Sequence, residues 1–438
     1  MFLIAPLLRG RVHYAWFVAG ATFLLLLAAA GIRSVPGVLI LPLEEEFGWD
    51  RATISLAISL NILLFGLWGP FAAAMMDRFG MRRVLLTALS VLAVAIVLTT
   101  QMRQSWQLIV LWGLLVGLGS GTMAGGLGAM IANRWFAERR GLVMGLLTAS
   151  NATGQLVFLP LLASLVVSMN WRAASLLVAG GTLLAIPLVA IVVRAHPRDV
   201  GIRPFGEDPA TPIAPPAPPV GNPFSAAIRT LTISLRHRDF WFLAGSFFIC
   251  GASTNGLIGT HLIPASMEHG IPEVTAASML ALIGIFDLIG TTVSGWLSDR
   301  WDNRWLLFWY YGLRGLSLLF LPYAYGTGYF GLALFIVFYG LDWVATVPPT
   351  VRLAADTFGK ERVGIVYSWI SASHQLGAAT IALMAGVMRS WFGDYQIAFM
   401  TSGLLCLIAA GIVIRIGRSE KGDAPASPVV NAAAAPAS

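Results

Sequence analysis

The sequence predicts an all-α membrane protein with twelve transmembrane helices in two pseudo-symmetric six-helix bundles. Three observations predict it: an apolar composition, twelve apolar stretches of spanning length, and a match between the two halves of the chain. Of 438 residues, 57% are hydrophobic and 11% charged, against about 25% charged in a soluble domain. A chain this apolar cannot cover itself with polar surface, so lipid must be its solvent. A helix needs ~20 consecutive, mostly apolar residues to cross the bilayer. Such stretches lie at 13–41, 52–75, 82–101, 106–131, 141–168, 172–194, 240–266, 275–298, 304–325, 328–349, 363–388 and 395–416. The alternating pattern of a membrane β-barrel is absent.

The first stretch follows Arg9 and Arg11 and passes through Ala28-Ala29-Ala30, which has the look of a signal peptide. It runs on through Val38-Leu39-Ile40 and is better taken as an uncleaved first span. Between spans, charge sets the orientation. With both termini in the cytoplasm, only Arg51, Arg103, Arg172 and Arg389 fall in outer segments, and Arg33 and Arg314 within spans. The remaining Lys and Arg are cytoplasmic, a strong positive-inside bias. The net charge of +7 therefore reports topology. The charges form no single face, which argues against a nucleic-acid partner. Trp49, Trp106, Trp171, Trp301 and Trp391 stand at span ends, as an interfacial belt requires.

The expected organisation is a first bundle at 1–194, a cytoplasmic linker at 195–238, a second bundle at 239–418 and a disordered cytoplasmic tail at 419–438. The linker holds a Pro-Ala run with Pro212, Pro215, Pro216, Pro218 and Pro219, suited to an extended spacer. The tail is rich in Ala, Pro and Ser and has no apolar period. The expected location is the cell inner membrane, with several crossings.

The halves repeat. Leu41-Pro42, Glu46 and Gly48 match Ile263-Pro264, Glu268 and Gly270. Asp77-Arg78 and Arg82 match Asp299-Arg300 and Arg304. After the fourth span, Arg139, Gly141, Thr148-Ala149-Ser150-Asn151 and Gly154 match Arg362, Gly364, Ser371-Ala372-Ser373-His374 and Gly377. Three matches at a nearly constant offset indicate duplication.

The segment Asp77-Arg78-Phe79-Gly80-Met81-Arg82-Arg83 resembles the loop motif G-x-x-x-D-R-x-G-R-R of the major facilitator superfamily, between its second and third helices. Ala73 stands where the first glycine belongs. A second copy, Gly295-Trp296-Leu297-Ser298-Asp299-Arg300, keeps that glycine and has Asp302 in place of the later one. Two copies in a twelve-span pattern make the resemblance specific, and it covers nearly the whole chain. It implies a transporter without cofactor whose parallel repeats rock around a site at their interface. The motif residues Asp77, Arg78, Arg82, Arg83, Asp299, Arg300 and Arg304 would then gate the cytoplasmic side through charge-assisted hydrogen bonds. The plain alternative is that the arginines only keep the loops inside. Within the superfamily the chain looks most like the monocarboxylate and oxalate/formate branch. The carrying segments are Gly31-Ile32-Arg33-Ser34 through Glu46-Phe47-Gly48-Trp49, Arg134-Trp135-Phe136-Ala137-Glu138-Arg139-Arg140-Gly141, and Phe286-Asp287. In that branch an arginine follows the aspartate by four residues. Thr291 stands there here, so the branch's carboxylate-binding chemistry does not transfer directly.

Ionisable residues at membrane depth are costly and mark pathways, relays or internal pairs. Arg33, on span one, either binds an anion with its forked donors or pairs with Glu44 or Glu45 near the outer end. Asp287, on span eight, either couples a proton or forms a buried ion pair with Arg314 on span nine. Asp342, on span ten, is either a second proton-coupling group or a capped residue at a helix break before Pro348-Pro349. Asn151 on span five, with Gln155 one turn on, pairs by the repeat with His374-Gln375 on span eleven, and Asn255 on span seven is the repeat partner of Arg33. They would orient a substrate or simply bond neighbouring helices. His261 is a further titratable group in span seven. Cys250 and Cys406 lack metal-ligand spacing and are expected to pack. Gly117-Leu118-Gly119-Ser120-Gly121 suits close helix approach. No Walker loop, metal cluster or Ser-His-Asp triad is present in the sequence, which argues against an enzyme or an ATP-driven pump.

These features lead to an expectation of a monomeric secondary transporter of a small organic anion, a carboxylate, coupled to protons. Substrate-binding residues would be Arg33, Asn151, Gln155, Asn255 and His374, and proton-coupling residues Asp287 and Asp342. The rivals are proton-coupled drug or metabolite efflux, for which Trp68, Trp112, Trp343 and Trp369 could line an aromatic cavity, and a non-transporting sensor.

Overall fold

The computed structural model describes residues 12–123, 126–208, 223–359 and 363–417. Within them the chain is helical almost throughout, and the single β feature is an isolated bridge between Phe136 and Phe205. The N-terminal half comprises α1 (Tyr14–Phe47), α2 (Arg51–Phe79), α3 (Met81–Thr99), α4 (Ser105–Gly121), α5 (Gly126–Trp135), α6 (Arg140–Ser168) and α7 (Trp171–Val192). A short helix, α8 (Pro223–Ser234), lies in the connector. The C-terminal half comprises α9 (Arg238–Glu268), α10 (Glu273–Ser298), α11 (Asn303–Ala324), α12 (Tyr329–Leu341), α13 (Val347–Phe358), α14 (Val363–Phe392) and α15 (Gln396–Val413). Among the described residues, eight helices are long and apolar enough to cross a membrane on length and composition alone. The fourth crossing is split into α4 and α5, and the tenth into α12 and α13. Each half thus has six crossings, as the repeat requires.

Local chemistry sets the boundaries. Gly48 ends α1 in a left-handed conformation, φ 66°, which a residue without Cβ adopts at no steric cost. Side-chain oxygens of Asp50, Asn170 and Asp302 accept from the backbone N–H groups of Thr53, Ala173 and Arg304 and cap α2, α7 and α11. Such caps satisfy donors that a helix start leaves unpaired. The helix α8 means that the connector is not extended along its whole length. Its first part folds back on the N-terminal half: the Phe205 N–H donates to Trp135 O and the Ala137 N–H to Phe205 O, both at 2.8 Å. The Phe205 ring then packs against Trp16 and Phe136. Arg9, Arg11, the Pro-Ala run and the expected disordered tail lie outside the described residues.

The halves meet where α2 packs on α14, α6 on α10 and α1 on α9. A Cβ on Gly386 of α14 would overlap the Ser55 side chain of α2, so that interface is at backbone distance. Gly117 and Gly121 lie equally close to the α2 backbone. Within the C-terminal half, a Cβ on Gly290 of α10 would collide with the Leu341 carbonyl at the end of α12. Gly290→Ala must therefore push α10 away from the tenth crossing, at a cost of about 1–3 kcal/mol. We expect a lower thermal midpoint for the detergent-solubilised variant, and none for Gly295→Ala, which has no neighbour within 4 Å. Equal midpoints for the two variants would show that the contact does not limit packing.

Candidate functional site

Between the halves lies a cavity of about 70 Å³. The N-terminal half contributes Arg33 and Ser34 from α1, Asn61 and Phe65 from α2, and apolar side chains such as Leu159. The C-terminal half contributes Asn255 and Thr260 from α9, Leu280 from α10, Trp343 from the tenth crossing and Gln375 from α14. Arg33 and Asn255, the repeat-related pair, thus meet in one site. The Arg33 guanidinium lies over the Phe65 ring, 4.7 Å from its centroid. Among the described residues no carboxylate pairs with it. Of the alternative partners, Glu44 accepts from Arg51 Nε at 2.7 Å.

Asn255 sits in a π-helical stretch, Ala252–Ile258. The wider turn leaves its carbonyl without the usual helical donor, and the Thr260 hydroxyl donates to it at 2.9 Å. Interruptions of this kind are frequent at functional sites. Asn61 anchors its wall by donating Nδ2 to Trp112 O at 2.8 Å. It has no polar repeat partner, and its only sequence signal is a lone amide inside an apolar span. Gln375 reaches the cavity because Gly66 of α2 has no Cβ to block it. Its neighbour His374 does not line the cavity: the His374 ring packs 4.9 Å from that of Phe247 within the C-terminal half. One residue is about 100° of helix, enough to exchange which of the two faces the site. Asn151 and Gln155 lie on α6, and their side chains fall outside the described residues.

The ion-pair expectation requires correction. Arg314 pairs with Asp342, not with Asp287. Its Nε donates to Asp342 Oδ2 at 2.8 Å, its Nη1 approaches Cys250 Sγ at 2.9 Å, and its Nη2 donates to the carbonyls of Asp342 and, at 3.2 Å, Trp343. The cause is the backbone. Pro348 and Pro349 have no N–H, so the helix cannot close its bonds between α12 and α13, and the tightened turn before them presents the Asp342 and Trp343 carbonyls to the guanidinium. Asp287 serves the same break from α10: its Oδ1 accepts from the Val344 N–H at 2.9 Å and the Thr291 hydroxyl at 2.8 Å. Thr291 therefore stands where the resembled branch has a cation and gives the aspartate a neutral donor instead.

A second polar cluster closes the face where α1 and α9 end and α2 begins. Arg51 of α2 donates to Glu268 of α9 across the halves and to Tyr395 Oη at 3.0 Å. Arg389 of α14 donates to the same Glu268 at 2.7 Å. His261 Nε2 is 2.8 Å from Ala382 O, and its Nδ1 is 3.3 Å from Tyr395 Oη. A carbonyl only accepts, so Nε2 carries the proton and the Tyr395 hydroxyl donates to Nδ1. The first-half counterpart of Glu268, Glu46, instead binds Arg172 and Trp171 within its own half. Of the motif residues, Asp299 faces Arg352 at 3.5 Å, Arg300 lies over Trp296, Arg304 pairs with Asp302 and Arg78 lies over Phe79. The Arg82 side chain is half-buried and that of Arg83 exposed. The Asp77 side chain is outside the described residues.

Two helical bundles of like topology, joined around a central polar cavity and latched on one face, define a carrier. The Major Facilitator Superfamily profile matches residues 21–352 and 256–437, and the chain belongs to that superfamily, whose members transport small molecules. The chain is 26% identical over 408 residues to monocarboxylate transporter 13 of Rattus norvegicus, covering 92% of this chain and 89% of that one. It is 26% identical over 418 residues to monocarboxylate transporter 11 of Homo sapiens (93% and 83%). An uncharacterized MFS-type transporter of Bacillus subtilis strain 168, YcxA, is 24% identical over 423 residues (93% and 94%). The likeness thus falls in the monocarboxylate branch. Among solved structures, a D-xylose-proton symporter superposes with TM-score 0.71 at 14% identity, covering 92% of this chain and 98% of that one.

The Arg51–Glu268 contact yields a test of the latch. Arg51→Gln should lengthen and broaden the distance distribution between spin labels at Met169→Cys and Trp391→Cys, one on each half. The native Cys250 and Cys406 are buried and will not label. An unchanged distribution would rule out Arg51 as the tie between the halves.

Proposed function

We propose that the protein is a proton-coupled secondary transporter of a small organic anion, a carboxylate, working by alternating access as a monomer in the cell inner membrane with both termini cytoplasmic. The latched face is then the outer one. One observation carries the reading: Arg33 is a permanent cation in an inter-half cavity, with no carboxylate partner among the described residues. Leaving a charge uncompensated at membrane depth is costly, and a substrate anion supplies the missing partner. A guanidinium suits a carboxylate because its parallel N–H groups match the two oxygens. Asn255 and Gln375 offer amides for further polar groups on the substrate, and Asn151 and Gln155 remain proposed contacts from α6. The cavity has room on the order of five water-sized positions, so this conformation favours a short-chain carboxylate. Two relatives named as monocarboxylate transporters support the class.

The same cavity weighs against drug efflux. Of Trp68, Trp112, Trp343 and Trp369, only Trp343 lines it. Trp68 donates to Thr122 and Trp112 is buried in the N-terminal half.

In proteoliposomes, Arg33→Gln should weaken apparent carboxylate affinity about 10- to 100-fold, the equivalent of one charge-assisted hydrogen bond. Arg33→Lys should recover part of it. Full affinity in Arg33→Gln would remove the anion site from Arg33.

For the proton, Asp287 is the better candidate of the two aspartates. Asp342 is tied to a guanidinium, whereas Asp287 is held by a hydroxyl and a backbone N–H. Asp287→Asn keeps an oxygen for Val344 but cannot exchange a proton. It should abolish acceleration of uptake by an inward proton gradient and leave carboxylate exchange at equal pH within about twofold of wild type. Retained gradient dependence would shift the coupling role to Asp342 or elsewhere.

A further inference from the structure

We propose that Arg314 is a positioning residue for the substrate site: from the core of the C-terminal half it fixes the break in the tenth crossing that sets Trp343 in the cavity wall. The inference rests on reading the Arg33 cavity as the substrate site.

The argument begins with backbone accounting. In a continuous helix the carbonyls of Val344 and Ala345 would bond the N–H groups of residues 348 and 349. Both are prolines. Val344 O instead accepts from the Val347 N–H at 2.9 Å, a tighter turn, and Ala345 O accepts from the Ser294 hydroxyl at 2.5 Å. Tightening the turn also displaces the carbonyls of Asp342 and Trp343, and Arg314 Nη2 donates to both. On the opposite side the Val344 N–H finds Asp287. Three side chains from two neighbouring helices therefore replace the missing helical bonds. Within lipid-embedded protein, irregular backbone persists only where such partners exist.

Trp343 lies inside this braced segment. Its own carbonyl is one of the Arg314 acceptors, while its indole lines the cavity beside Gly259 of α9. Trp343 is 7% exposed. Arg314 is fully buried and does not line the cavity. A guanidinium is the only side chain that can reach the Asp342 carboxylate and two carbonyls with fixed, forked donors. An ammonium at that position would reach fewer of them in defined geometry. Loss of the fork lets the Asp342–Thr346 segment move, and the indole moves with it. The apolar wall that limits the length of a bound carboxylate is thus set by a residue that does not touch it.

The test uses purified full-length protein and a straight-chain series, acetate, propionate, butyrate and hexanoate, read as ligand-induced thermal stabilisation at graded concentration. Trp343→Ala should raise the hexanoate-to-acetate affinity ratio about tenfold or more, since one methylene in an apolar pocket is worth at least that. Arg314→Gln should shift the ratio in the same direction, Arg314→Lys by less. Arg314→Gln combined with Trp343→Ala should add nothing to Trp343→Ala alone. A monodisperse Arg314→Gln or Arg314→Lys protein with the wild-type ratio overturns the proposal, as does an additive double variant. If Arg314→Gln cannot be purified, Arg314→Lys carries the comparison. A ligand-free arm separates this inference from the site reading. Amide exchange in peptides covering 341–347 should quicken in either Arg314 variant, and unchanged exchange refutes the brace whatever the substrate is. Faster exchange with no stabilisation of wild-type protein by any of the four acids instead refutes the carboxylate site. Arg33→Gln should lower affinity for all four acids without changing their order, so order reports on Trp343 and strength on Arg33.

Discussion

Arg314 holds the C-terminal half together at the point where its backbone fails. Two consecutive prolines take two donors out of the tenth crossing, and a helix at membrane depth has no water to replace them. The turn tightens in response, and the guanidinium takes the Asp342 and Trp343 carbonyls that this displaces, itself made tolerable by Asp342 and Cys250 around it. Burying such a pair in place of apolar side chains brings no guaranteed stability, but removing one member is expensive. The arrangement makes α10, α11 and the split crossing interdependent. Gly290 allows α10 close enough for Ser294 and Asp287 to reach the break. The cavity wall inherits its shape from this assembly.

The halves share a scaffold and divide the chemistry. The N-terminal half brings to the cavity a guanidinium that no carboxylate among the described residues pairs; the C-terminal half uses its buried guanidinium internally and offers amides, a hydroxyl and an indole. Glu46 and Glu268 show the same divergence at the latched face. One carboxylate stays within its half, and the other receives arginines from both. A symmetric scaffold with such asymmetric charges can bind at its seam and open at one end without unfolding either bundle.

Much of the architecture was legible because lipid imposes a simple rule: a spanning helix must be long and apolar, and its charges must be few. Twelve stretches, the repeat and the break ahead of Pro348-Pro349 all follow from local sequence. Arg33 and Asn255 were readable as a pair because duplication aligns them. Other positions gave weaker signals. Asn61 lacks a repeat partner, and Gln375 sits one residue from the position the repeat highlights. The Arg51–Glu268 latch joins residues on different halves, and only the Glu46–Glu268 match hinted at either member.

The sequence by itself determined the class of fold, the number of crossings and the places where polar groups enter the membrane, because hydropathy and missing N–H groups are properties of the chain. Only the tertiary structure decided which charges meet. Arg314 had two aspartates within plausible reach, and the choice of Asp342 depends on carbonyls displaced at the break, whose positions are fixed by packing against α10 and α11. The same packing pairs Arg33 with no carboxylate among the described residues, and the proposed function rests on that charge.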